Sequence, residues 1–403
     1  MTMEHNRGPQ GPRVLDGIRV LDFTAVIAGP YCTRLMADLG ADVLKVEPLE
    51  GELLRHGPPL RNGVSALFSQ LNSGKRSIAL DLKQAAAREI ITALLPTIDV
   101  VVENYSPGVM QRFGLDYARL REIKSDLVMC SISGYGQTGP HAERPAFGPI
   151  VQAWSGYELV TLGYQPGLTK PLNMGIPVGD TTAALQAYGA ITSALFYRER
   201  TGQGQYIDIS MYDALLATMH KDFQQALNPD TRERLYGPIV TADGYVLLML
   251  LSQRHLENLA DCIAQPELKQ DPRFSTTAAR FNYYPELIAI VAAWSASRTT
   301  AEIVGLLEKA SVPVTPYRDI SAVLEDQQLM HRGMLTEILD AAGPLLVPNT
   351  PLLFSATQAA VQPWVATLGA HTGAVLETLG YSPAARAALC SSKAVGVAAA
   401  AQS

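Results

Sequence analysis

Short β-rich runs alternate with helical segments from Gly17 onward. Residues 18–23 (IRVLDF) and 42–47 (DVLKVE) predict buried strands, and Gly29 and Gly40 bound a helix between them. Two later strands and two helices are predicted at 99–103, 126–132, 84–95 and 116–123. Such alternation implies a parallel sheet with helices on its faces, so the fold class is α/β with a Rossmann-like large domain. The GxGxxG motif is absent, and a nicotinamide cofactor is therefore not indicated.

The length of 403 residues exceeds what one ordinary core holds, which predicts two lobes. A polar, charged segment near 228–234 marks the change from one to the other. We expect the large domain over 14–227, a smaller α+β domain over 228–322, and a return segment over 323–390 that packs on the large domain. The alanine-rich end predicts a disordered tail over 391–403.

Composition excludes several classes of partner. The net charge is −6 and no long run of Lys and Arg occurs, so nucleic acid is not the expected partner. Neither a signal peptide nor an apolar run of membrane-spanning length is recognisable, and no membrane association is expected. Four scattered cysteines without metal-ligand spacing predict a cytoplasmic protein with reduced thiols and no metal site.

Asp180 stands out because a long helix, from about 181 to 200, is predicted to follow it directly. Asp is a favoured N-cap residue, and the helix dipole at that position favours the ionised carboxylate. An ionised carboxylate can also act as a nucleophile. From its local context alone, Asp180 is an ordinary helix cap.

Nine motifs occur in a fixed order along nearly the whole chain. They are LDGIRVLDF at 15–23, AGP at 28–30, LGADVLKVE at 39–47, NSGKRSIALD at 72–81, VENYSPG at 102–108, SGYG at 133–136, GD at 179–180, RERTGQGQ at 198–205 and LGAHT at 368–372. Together they resemble the family III CoA-transferases, a group whose sister branch is the α-methylacyl-CoA racemases. His371, in the last motif, is expected to join the C-terminal segment to the large domain by hydrogen bonds.

The resemblance implies a fold, an assembly and a reaction. The fold would form an interlocked homodimer, and Asp180 would fall on the family's nucleophile position. Coenzyme A would pass from an acyl-CoA donor to a carboxylic acid acceptor through anhydride and aspartyl-CoA thioester intermediates. CoA thioesters would be substrates, and no tightly bound cofactor or metal is expected.

The resemblance also implies contacts with CoA. It places against CoA the residues Val26, Ala28, Leu80, Asn104, Tyr105, Arg112 and Phe113. Ordinary core packing is the alternative role for Val26, Ala28 and Leu80, and a solvated surface charge is the alternative for Arg112. Three further cations are candidate CoA neighbours, namely Lys75, Arg76 and Arg144.

Positions around the acyl group differ from the formyl-CoA relative. Ile27 and Gly148 stand where that relative carries Gln and Glu, so the acceptor is expected to be larger or more apolar than oxalate. Tyr135 and Phe147 are further candidates for the acyl pocket. A glycine-rich loop covers the nucleophile in relatives, and Gly237 is the candidate oxyanion donor in the shorter segment here.

Two alternative functions remain open from the sequence. A racemase needs two proton-transfer groups flanking the α-carbon, and its histidine aligns with Phe147, which cannot exchange a proton. A protein that binds acyl-CoA without turnover is the second alternative, against which Asp180 argues.

Overall fold

The computed structural model describes residues 11–165, 167–228 and 236–398 of the chain. It divides into two compact units: residues up to His220 together with those from Met330 onward, and Lys221–Leu329. The expected small domain, 228–322, lies inside the second unit. The expected return segment is divided between the two units, because residues 323–329 group with the second and the remainder with the first.

The strands and helices are as follows. The strands are β1 (Arg19–Asp22), β2 (Asp42–Glu47), β3 (Leu60–Arg61), β4 (Val64–Ser65), β5 (Arg76–Leu80), β6 (Val100–Glu103), β7 (Val128–Ser133), β8 (Tyr206–Ser210), β9 (Ile239–Val240), β10 (Tyr245–Leu248), β11 (Val314–Pro316), β12 (Leu335–Asp340), β13 (Gly343–Pro348) and β14 (Val395–Gly396). The helices are α1 (Ala28–Asp38), α2 (Ala66–Asn72), α3 (Ala85–Leu94), α4 (Val109–Phe113), α5 (Tyr117–Ile123), α6 (Gly148–Trp154), α7 (Tyr157–Gly163), α8 (Val178–Thr201), α9 (Met211–Leu216), α10 (His220–Leu227), α11 (Gln253–Cys262), α12 (Thr277–Asn282), α13 (Tyr284–Ser295), α14 (Thr300–Lys309), α15 (Ile320–Leu324), α16 (Gln327–His331), α17 (Thr372–Thr378) and α18 (Pro383–Ser391).

A seven-stranded sheet forms the centre of the first unit, in the order β14-β5-β2-β1-β6-β7-β8. Neighbouring strands are parallel except for β14, which pairs antiparallel with β5. Successive side chains of a strand point to opposite faces, and both faces are covered here. Val100 and Val102 pack in a core with α1 and α8, whereas Val101 packs in a second core with α3 and α17. The α/β class predicted from the sequence is confirmed.

The C-terminal segment completes this sheet. Val395 and Gly396 pair with Leu80 and Ala79, so the expected disordered tail is wrong for residues 391–398. Without β14, the backbone N–H and C=O groups along the outer edge of β5 would lack partners within the sheet. Pairing with β14 supplies those partners, and the alanine-rich composition of the segment does not indicate this pairing. Residues 399–403 of the expected tail lie outside the described residues.

His371 joins the C-terminal segment to β5, as the sequence predicts. Its backbone N–H donates to Ser77 O (2.9 Å), and its Nδ1 accepts from Ser77 N–H (3.2 Å). The next residue, Thr372, accepts at Oγ1 from the N–H of Ala79 (3.1 Å). These hydrogen bonds fix residues 369–372 against the sheet.

The second unit is built around a small antiparallel sheet in the order β11-β10-β9. Apolar residues of α11, α13 and α14 pack against it, including Leu256, Val291 and Ile303, which are fully buried. Among the described helices, none is by itself long and apolar enough to cross a membrane; α13 and α14 reach that length and composition only as a pair bent by 118°.

Candidate active site

The turn between β1 and α1 has an unusual backbone. Val26 has φ +68°, a left-handed conformation that β-branched residues rarely adopt. The Asn104 side chain makes two hydrogen bonds to Ala25, the residue before Val26. Asn104 Oδ1 accepts from Ala25 N–H and Asn104 Nδ2 donates to Ala25 O, both at 2.8 Å. Val26 N–H donates to Glu52 Oε2 (3.3 Å). Hydrogen bonds from two other segments therefore stabilise this conformation.

A buried ion pair lies next to the same turn. Lys75 Nζ lies 3.2 Å from Asp22 Oδ2, and both side chains are buried. Asp22 also accepts from the Thr24 and Thr33 hydroxyls (2.5 and 2.7 Å). Burial acts to raise the pKa of Asp22, but the Lys75 ammonium and the hydroxyl donors outweigh it and hold the pKa below its ordinary value. Burial lowers the pKa of Lys75 to about 8.

Asp180 lies in the first turn of α8, where its side chain is only 8% exposed. The expected N-cap role is wrong, because α8 begins at Val178 and Pro177 occupies the cap position. Burial raises the pKa of Asp180 to about 6, although the backbone N–H groups of Asp180 and Ala28 act in the opposite direction. The carboxylate is therefore mostly ionised at neutral pH while largely withdrawn from water.

Three helices bring their first residues together at this carboxylate. Ala28 begins α1, Gly148 begins α6, and Asp180 is the third residue of α8. Gly148 is so close that a Cβ atom built on it would lie 1.9 Å from Asp180 Oδ2. The site thus depends on how α1 and α6 pack against α8, which is not visible in any local motif.

Two cavities meet at Asp180. The larger, of about 790 Å³, has a mostly apolar wall that includes Ile27 and Ile176. The smaller, of about 140 Å³, lies on the side of the β1–α1 turn. Val26, Phe147 and Asp180 line both cavities, so a molecule in either one can reach the carboxylate.

Comparison with known proteins places this chain in a family. Residues 15–372 match the model of CoA-transferase family III. The chain belongs to CoA-transferase family III. It is 34% identical to the succinyl-CoA:mesaconate CoA-transferase of Haloarcula hispanica, over 91% of this chain and 96% of the relative. It is 33% identical to the succinyl-CoA:glutarate CoA-transferase of Mus musculus, over 92% and 88% respectively.

A solved structure agrees with the fold of this transferase. The CaiB/BaiF family protein of Brucella suis superposes with a TM-score of 0.79 at 29% identity and covers 92% of this chain and 100% of its own. The resemblance drawn from the sequence motifs and the enzyme class are thereby confirmed. Transfer of CoA between acyl-CoA and carboxylic acids follows from the family and from the names of these relatives.

Most of the predicted CoA contacts of the transferase lie along two adjoining cavities. The wall of the small cavity includes Val26, Ala28, Asn104, Tyr105 and Arg144. Leu80 and Phe113 line a third cavity of about 490 Å³, which shares Ala25 and Tyr105 with the small one. The two cavities thus adjoin at Ala25 and Tyr105, and the small one reaches Asp180.

Lys83 also lines the third cavity, and the sequence reasoning missed it. Lys83 is exposed and follows the end of β5 by three residues. Loops at the carboxyl ends of parallel strands are where α/β sheets bind ligands, and that rule was the available signal.

Three predicted CoA contacts lie away from these cavities. Lys75 is buried in the ion pair with Asp22 and so differs from the expected ligand contact. Arg76 forks onto the Asp42 carboxylate at 2.8 and 2.6 Å. Arg112 is exposed in the last turn of α4 and lines none of the three cavities. Proximity to the motifs in the sequence did not show which of the predicted cations line a cavity and which do not.

The predicted acyl-pocket residues divide in the same way. Ile27, Phe147 and Gly148 line the large cavity beside Asp180. Tyr135 does not line this cavity. Its ring packs against that of Trp154, with the ring centroids 6.4 Å apart. Gly237 belongs to the second unit, and its role as an oxyanion donor stays a prediction.

Proposed function

We propose that this transferase moves CoA from an acyl-CoA donor to a carboxylic acid through covalent intermediates on Asp180. The supporting observation is the position of Asp180, a buried carboxylate at the junction of two cavities. One cavity has space for a carboxylic acid, and the other is lined by residues predicted to contact CoA. A residue so placed can reach both the thioester and the acid.

The reaction proceeds by four acyl transfers. The Asp180 carboxylate attacks the thioester carbonyl, and CoA thiolate leaves to give a mixed anhydride. The thiolate then attacks the Asp180 carbonyl, releasing the donor acid and leaving an aspartyl-CoA thioester. The acceptor carboxylate attacks this thioester and again expels thiolate. Attack of the thiolate on the acceptor carbonyl of the second anhydride releases the new acyl-CoA and restores Asp180.

The environment of Asp180 suits these steps. A raised pKa of about 6 makes the carboxylate a stronger base and nucleophile than an exposed Asp, while leaving it ionised at neutral pH. Burial limits the access of water that would hydrolyse the anhydrides. The backbone N–H of Ala28 interacts with the carboxylate and is available to developing negative charge there.

We propose succinyl-CoA as the donor and a short dicarboxylic acid as the acceptor. Relatives named for mesaconate, D-citramalate and glutarate support this choice. A cavity of about 790 Å³ also exceeds what oxalate needs, in agreement with the expectation of a larger acid. Because an acetyl-CoA:oxalate CoA-transferase is also among the relatives, at 34% identity, oxalate is the informative comparison acceptor.

We further propose that the transferase works as the intertwined homodimer implied by the family resemblance. Large apolar side chains of α7 and α8 are exposed in the single chain, among them Leu159 (62%) and Phe196 (65%). Such exposed side chains are typical of a surface covered by a partner. Light scattering measures the mass in solution, and a monomer at assay concentration would contradict this assembly.

The covalent mechanism is tested with Asp180→Ala and a matched control, Asp213→Ala, at an exposed aspartate of α9. Both variants are incubated with succinyl-CoA and a panel of acids, and the new thioesters are read by mass spectrometry. We expect Asp180→Ala to lose transfer while it still binds CoA, and Asp213→Ala to keep transfer. Hydroxylamine added during turnover should modify the wild type at Asp180.

One outcome would contradict the mechanism, and two others would favour other functions. Substantial transfer by Asp180→Ala would contradict the covalent mechanism. Exchange of the α-proton of an acyl-CoA with deuterated water, without transfer, would indicate a racemase, and neither transfer nor trapping would indicate a binding protein.

A further inference from the structure

The Asp180 carboxylate lies in the space that a side chain at residue 148 would occupy. The atoms nearest to a Cβ built on Gly148 all belong to Asp180: Oδ2 at 1.9 Å, Cγ at 3.0 Å and Oδ1 at 3.7 Å. A carbon and an oxygen that are not bonded cannot approach to 1.9 Å. The Asp180 carboxylate therefore rests in space that exists only because residue 148 has no side chain.

The backbone gives no independent reason for glycine at this position. The φ angle of Gly148 lies outside the left-handed region, and the residue begins a regular helix, α6. Alanine is the better residue in a helix, since glycine costs conformational entropy. With the Asp180 carboxylate in its observed position, residue 148 has room only for glycine, and the reason is this contact rather than a turn.

We propose that Gly148 is a positioning residue that sets where the Asp180 carboxylate lies, an inference that rests on the proposed role of Asp180 as nucleophile. A methyl group at residue 148 forces the carboxylate to rotate, because the carboxylate ends a rotatable side chain and can move more easily than the helices. Rotation changes how the carboxylate faces the two cavities that it lines. The nucleophile then no longer faces the thioester carbonyl correctly.

The effect is expected on the chemical steps rather than on CoA binding. Gly148 lines the large cavity but not the small one or the third one, whose walls include most of the predicted CoA contacts. Gly148→Ala should therefore lower kcat and leave the KM for acyl-CoA unchanged. A misplacement of about 1 Å at a reacting group costs about 100-fold in rate, and we expect a loss of that order.

The matched control is Gly305→Ala, a glycine in the middle of α14 whose added Cβ meets no atom within 4 Å. It makes the same substitution in a helix that carries no predicted site residue and lies outside α7 and α8, and it should keep the wild-type kcat. A second readout, independent of activity, is the melting temperature of Gly148→Ala made both in the wild type and in Asp180→Ala. Because the three atoms nearest to the added methyl group all belong to Asp180, its effect on melting should be more favourable when Asp180 is already alanine.

The results separate this inference from the mechanism on which it rests. A wild-type kcat for Gly148→Ala, or an equal change in melting temperature in both backgrounds, would overturn the positioning role. Transfer by Asp180→Ala would overturn the nucleophile instead, and the paired melting temperatures would still report whether Gly148 makes room for that side chain.

Discussion

The burial of Asp180 should make the native transferase less stable than a variant without that charge. In the unfolded chain the carboxyl group titrates near its ordinary 3.8, and burial raises the pKa to about 6 in the folded protein. Each pKa unit corresponds to about 1.4 kcal/mol, so the ionised carboxylate costs about 3 kcal/mol of stability. Asp180→Asn keeps the shape of the side chain and removes the charge.

The sign of the pH dependence follows from proton binding. Between pH 3.8 and about 6 the folded protein binds a proton that the unfolded chain has lost, so stability falls as the pH rises through this range. Above it the full cost is present. Asp180→Asn should therefore gain about 3 kcal/mol at neutral pH, and the gain should shrink as the pH is lowered toward 3.8.

Melting curves of the wild type and Asp180→Asn across this pH range measure the effect. For a chain of 403 residues, about 3 kcal/mol corresponds to a rise in melting temperature of about 4 °C. Taking the difference between the two proteins removes the contributions of Asp38 and Glu103, whose pKa values burial also raises, to about 6 and about 7. A loss of stability at neutral pH, or a gain that does not vary with pH, would refute the reasoning.

Two further predictions concern the turn beside the site. Asn104→Ala removes both hydrogen bonds to Ala25, so we expect the KM for acyl-CoA to rise in steady-state assays; an unchanged KM would show that the turn holds without them. Lys75→Met leaves Asp22 buried without its ion-pair partner and should lower the free energy of unfolding in urea by about 3–5 kcal/mol. Arg76→Met, which breaks a half-exposed pair, should cost at most about 1 kcal/mol, and equal losses would contradict this distinction.

The sequence predicts the central strands closely because parallel strands covered on both faces read as continuous apolar runs. Residues 42–47 form β2 as predicted, and the run at 99–103 becomes β6 at Val100–Glu103. The long helix predicted next to Asp180 is also present, as α8 at Val178–Thr201. The exact helix start differs because Pro177, rather than the carboxylate, occupies the cap position.

The arrangement of the site could not be predicted in the same way, since it depends on contacts between distant segments. Lys75 and Arg76 are adjacent in sequence, yet one pairs with Asp22 in the core and the other with Asp42 nearer the surface. The contact between Gly148 and Asp180 arises only when α6 packs on α8. The spacing of apolar residues between positions 148 and 180 does not predict that packing.

The pairing of β14 with β5 has a consequence for how the chain is made. The first unit combines residues up to 220 with residues from 330 onward, and its sheet gains β14 only from residues 395–396. During synthesis, the edge of β5 therefore stays unpaired while the whole second unit leaves the ribosome. Exposed sheet edges promote aggregation, so nascent chains should need shielding by chaperones until the last strand arrives.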